Sequence, residues 1–139
     1  MTAGRLPALF SLAALACGGM VTAPSQPDLV FQSQIIFGFP TLPIVAAPHK
    51  GGVLVTGAVL TPKTSYVLTG DVRAPRERAV VLEITVSDTG QGYQFNTQNY
   101  YRADVQALGP GSYDLSVVYI YATPPLRSEL VHRETVLVP

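Results

Sequence analysis

The chain has 139 residues, 47% of them apolar and only 13% charged, which suits a single domain with a real core and excludes a disordered polyelectrolyte. Nine Lys and Arg balance nine Asp and Glu, so no basic stripe is available for nucleic acid. No run reaches the roughly 18 apolar residues of a membrane span, and the 12 Pro, 12 Gly and 7 Tyr favour strands joined by tight turns over helices.

Met1 to Arg5 forms a short positive segment, and Leu6 to Ala16 follows as an apolar stretch with the length of a signal-peptide core rather than of a span. Ala14 and Ala16 put small side chains where a signal peptidase inspects them, and Cys17 comes directly after. Ala14-Leu15-Ala16-Cys17 resembles the lipobox of bacterial lipoproteins, with Ala14 at the position where that family favours Leu. The resemblance implies acylation of Cys17, removal of residues 1–16 and a membrane anchor. Gly18 stands where an Asp would retain such a protein at the inner membrane, so the same resemblance implies the outer membrane of the cell envelope. Cys17 is the only cysteine, so it cannot form an internal disulfide, and acylation would consume a thiol left free in an oxidising compartment. The other cleavage site, after Ala23, would place Pro24 immediately beyond the scissile bond, where a fixed φ and a missing N–H suit proteases badly. Gly18 to Pro27 has a tether's composition, small, uncharged and interrupted by proline, so residues 17–28 read as a lipidated cysteine and flexible tether. Ordinary secretion or a periplasmic address, and retention of the leader, are the alternatives.

Residues 29–139 read as one β-sandwich domain. In Leu29 to Phe39 the residues Phe31, Ile35, Phe37 and Phe39 share a face at period two, which predicts a strand. Pro40, Pro43 and Pro48 predict an irregular connection to Gly52 with a short edge segment at Ile44-Val45. Val53 to Leu60 predicts a buried strand, with Gly57 marking a bulge. Ser65 to Arg73 puts Tyr66, Leu68, Gly70 and Val72 on one face, and Ala79 to Ser87 sends Val80, Leu82, Ile84 and Val86 inward against an outward Glu83. Tyr93 and Phe95 mark a shorter strand, and Tyr100 to Leu108 another, with Tyr101, Ala103 and Val105 on one side. Leu115, Val117, Tyr119 and Tyr121 follow at strict period two. Glu129 to Val138 predicts the last strand, but its apolar residues fall on both parities, so its inner face is left open. Turn signals every eight to twelve residues and the absence of a 3.6-residue apolar period make the domain all-β.

Leu108-Gly109-Pro110-Gly111-Ser112-Tyr113 is similar to the corner before strand F of fibronectin type III and other immunoglobulin-like domains. The resemblance implies an antiparallel β-sandwich of about seven strands. In such a corner Leu108 plugs the core, Pro110 turns the chain between sheets, and the Tyr113 hydroxyl bonds upstream backbone. The chain lacks the tryptophan of the type III family and the cysteine pair of antibody domains. The same corner also occurs in transthyretin-like domains of exported bacterial proteins, and an ordinary Pro-Gly turn in another β-fold is the alternative.

His49 and His132 are the only histidines and read as surface residues. No zinc spacing, nucleophile elbow or phosphate loop is present, so no enzyme, cofactor or metal is expected. The loop Asp88 to Gly92 offers one carboxylate where a calcium loop needs several oxygen donors. Asp71, Glu83, Asp104 and Asp114 read as solvated strand residues. Tyr93, Gln94, Asn96, Asn99 and Tyr100 combine rings that stack on sugars with amides that bond hydroxyls, which makes them the candidate ligand-binding residues. The other reading of that stretch sends its aromatics into the core. Two functions follow as expectations: a lipid-anchored structural or protein-interaction module, and a glycan-binding module.

Overall fold

Alternating branched and aromatic residues build eight strands and no helix among residues 26–37 and 41–139, which the computed structural model describes. They are β1 (Asp28–Ile36), β2 (Val45–His49), β3 (Gly52–Thr61), β4 (Tyr66–Arg73), β5 (Ala79–Asp88), β6 (Thr97–Gln106), β7 (Gly111–Tyr121) and β8 (Arg127–Val138). Two four-stranded sheets result, in the orders β1-β6-β3-β2 and β4-β5-β7-β8, packed face to face as a sandwich. The leader, Cys17, the tether up to residue 25, and Phe39 lie outside the described residues.

The core is the sum of the period-two faces. Val53, Val55 and Val59 of β3 meet Leu82, Ile84 and Val86 of β5 and Leu115 and Val117 of β7, each almost wholly buried. Each such side chain contributes roughly 1.5–3 kcal/mol relative to exposure. At the centre Phe31 stacks on Tyr101 at 6.1 Å, Tyr101 meets Tyr119 edge-on, and the two phenol oxygens lie 3.1 Å apart. Gly57 faces this group: a Cβ there would sit 2.5 Å from the Tyr101 hydroxyl. The β3–β6 ladder runs through Gly57 without interruption, so the glycine makes room for a ring and is no bulge.

The sandwich departs from the expected layout in four places. The edge segment expected at Ile44-Val45 is instead a five-residue edge strand, β2, starting at Val45 and running through Pro48, joined to β3 by a two-residue turn in which Lys50 and Gly51 both have positive φ. Every ladder is antiparallel except β5–β7, which is parallel because β6 crosses to the other sheet between them. Tyr93 and Phe95 form no strand: residues 89–96 are loop and both rings stand in water. On β1 only Leu29 and Phe31 pack against the core, while Ile35 and Phe37 are exposed at the far end.

The ambiguity of the last strand has a structural cause. The β7–β8 register runs from Val117↔His132 to Val118↔Leu130, so Val131 is an extra residue and the side-chain parity reverses there. Val136 and Val138 on one side of the bulge and Val131 at it all reach the core, leaving Leu130 and Leu137 exposed.

Candidate functional site

The strand registers gather three connections at one end of the sandwich, residues 62–65, 89–96 and 122–126, together with the close of β1. Polar side chains hold them. Asp88 is the hub: Ser65 Oγ donates to Oδ1 at 2.5 Å, Gly90 N to Oδ1 at 2.9 Å and Lys63 Nζ to Oδ2 at 3.0 Å. These bonds, that from Ser65 foremost, lower the carboxyl pKa from 3.8 to about 2. The Asp88 amide in turn donates to Thr123 Oγ1, and Thr89 Oγ1 donates to the Ser65 carbonyl. Thr64 grips the far side of the loop, its amide donating to the Tyr93 carbonyl and its hydroxyl accepting from the Tyr93 amide.

Both Asp88 carboxylate oxygens accept from the chain's own donors. Among the described residues no three His, Cys, Asp or Glu side chains come together.

What this end displays is apolar. Tyr93 is 84% exposed, Leu126 72%, Leu60 61%, Phe37 57% and Phe95 56%, and Phe37 and Phe95 touch at 6.0 Å between ring centres. Beside them Leu60, Pro62, Tyr121 and the cis pair Pro124-Pro125 line a shallow cleft of about 220 Å³. The sequence marked Tyr93 through its aromatic–amide stretch; Leu60, Phe37 and Leu126 gave no such signal, because period-two patterning places an apolar residue on a strand without revealing whether anything covers it.

The five candidate ligand residues do not form one surface. Tyr93, Gln94 and Asn96 are exposed on the loop. Asn99 points inward, is buried, and donates from Nδ2 to Thr61 Oγ1 at 2.8 Å, so it cannot face a ligand. Tyr100 is half-buried on the outer face of the sheet containing β6, opposite Gln34 of β1.

Comparison with family models, with characterised proteins and with solved structures returned no match.

The corner residues lie at the other end. Leu108 is buried in the core, the Tyr113 hydroxyl donates to the Gly109 carbonyl at 2.8 Å, and its ring lies against the core edge. Arg78 completes the corner, stacking its guanidinium over the Tyr113 ring and donating to the Pro110 carbonyl at 2.8 Å. The N-terminal segment joins here too, where Asp28 pairs with Gln106 and Gln26 Nε2 donates to the Val72 carbonyl. His49 and His132 are half-buried rather than fully solvated, beside Asp104 and Glu134 respectively.

Proposed function

We propose that this chain is a non-catalytic, lipid-anchored module of a bacterial cell envelope that captures a protein partner with its loop end. One observation carries the reading: Phe37, Leu60, Tyr93, Phe95 and Leu126 stand in water at the end opposite the N-terminal segment, around the loops that Asp88 ties together. Apolar tips that are held rigid lose little entropy on docking, and aromatic anchors of this kind dominate interface energies. The export address rests on the leader and on Ala14-Leu15-Ala16-Cys17. The Leu108–Tyr113 corner supports kinship with the fibronectin type III-like sandwiches, and the parallel β5–β7 ladder is its departure from their antiparallel sheets.

Two measurements test the proposal. Intact mass of the envelope-fraction protein is expected to show a chain beginning at acylated Cys17, and Cys17→Ser to release it from membranes. A photo-crosslinker at position 93 of the full chain should give one protein adduct that disappears in Phe95→Ser/Leu126→Ser. Equal crosslinking from a crosslinker placed on the outer face of β5 would remove the loop end from consideration.

A further inference from the structure

On the β4-β5-β7-β8 sheet and its turns Arg73 pairs with Glu83 at 2.6 Å, Arg76 pairs with Asp114 at 2.9 Å, and Arg127 lies over the Tyr121 ring. The outer face of the β1-β6-β3-β2 sheet carries two charged side chains on β6. Arg102 is exposed and has no ion pair among the described residues. Asp104, two residues along the same strand and on the same face, is largely covered, yet its Oδ1 has no hydrogen-bond partner. Its Oδ2 accepts from Gln106 Nε2 at 3.1 Å and lies 4.0 Å from His49 Nε2. A covered carboxylate oxygen left without a donor is uncommon in folded chains, since such groups ordinarily find one.

The same face holds further unspent capacity in a continuous strip. The β1–β6 register sets Gln32 opposite Arg102 and Gln34 opposite Tyr100, with both amides exposed. Two adjoining concavities of about 140 and 230 Å³ share Gln32 and Arg102; the first extends to Gln34 and Tyr100, the second to Asp104.

We propose that this strip is a binding site for a neutral, hydroxyl-rich saccharide chain lying along β6. The Arg102 guanidinium and the exposed Gln32 and Gln34 amides offer donors and acceptors to sugar hydroxyls along the strip, with Tyr100 offering a ring for the apolar face of a sugar. A polyanion is disfavoured because Asp104 neighbours Arg102 on the same face. The site shares only Tyr100 with the stretch singled out from the sequence, and it is independent of the loop end.

The full chain, isotopically labelled and held in detergent micelles, is titrated by NMR with cellohexaose and with chitohexaose, two flat, extended hexasaccharides. At least one is expected to shift amides of β1 and β6 at millimolar concentration, leaving residues 89–96 unmoved. Tyr100→Ala should weaken that binding about tenfold, and Gln32→Ala, at an exposed position that leaves packing intact, should weaken it severalfold. Tyr93→Ala should leave it unchanged. Silence toward both sugars at a few millimolar, shifts confined to the loop end, or undiminished binding by a folded Gln32→Ala/Tyr100→Ala variant would each overturn the proposal. Loss of loop-end crosslinking with sugar binding intact would count against the protein-partner reading alone.

Discussion

At the residue scale, Asp88 shows how one side chain can set the geometry of a surface it does not belong to. Its carboxyl pKa of about 2 lies below the ordinary 3.8, so the stabilisation it gives is fully present above pH 3.8 and is lost as pH falls through about 2. The denaturant midpoint is therefore expected to decline over that window, and Asp88→Asn should flatten this part of the decline while loosening residues 89–96 in amide exchange. The buried Tyr101–Tyr119 pair makes a second case. Burial raises both phenol pKa values, and each hydroxyl is the other's partner, so Tyr101→Phe strands a buried hydroxyl at a cost of about 1–3 kcal/mol. Tyr101→Phe/Tyr119→Phe should cost less than the sum of the single changes, as a double-mutant cycle on unfolding would read. Neither feature was legible in the sequence. Asp88 looks like any turn aspartate until Ser65 and Lys63 are brought to it, and Asn99 reads as a surface amide until Thr61 supplies a buried partner.

At the scale of the element, alternation was a sound guide where a ladder flanks the strand on both sides. Val80 to Val86 of β5 and Leu115 to Tyr121 of β7 sit as their period dictates because neighbouring strands hold them flat. Tyr93-Gln94-Phe95 has the same alternation without a ladder, and two hydrogen bonds between Thr64 and Tyr93 hold it as loop instead. On β8, one inserted residue, Val131, was enough to make the pattern unreadable. That strand is also a sheet edge, and its inward-facing parity carries His132 and Glu134, bonded to each other at 2.9 Å, where an apolar pair would extend the core. Bulges and inward charges both discourage strand addition at an edge. His132→Val/Glu134→Val is accordingly expected to promote concentration-dependent association, detected by light scattering, without loss of the monomer's strand signal in circular dichroism.

At the scale of the whole molecule, the sandwich was legible and its wiring was not. Period and turn spacing specify two hydrophobic faces, but which strand adjoins which depends on how connections cross from sheet to sheet, and residues 89–110 carry the chain through β6 before β7 returns beside β5. The return is secured at the Tyr113 corner, where Tyr113→Phe should remove one hydrogen bond and lower stability by about 1 kcal/mol in chemical denaturation, with Arg78 still seated on the ring. The opposed placement of the N-terminal segment and the Asp88 loops has a mechanical meaning. A strand of nine or ten residues at about 3.3 Å each makes the sandwich roughly 30 Å long, so the anchor proposed at Cys17 would leave the exposed aromatic end about that far beyond the end where the N-terminal segment joins. Under that proposal a partner would meet the aromatic end from the aqueous side, and a longer tether would widen its reach without altering the contact surface.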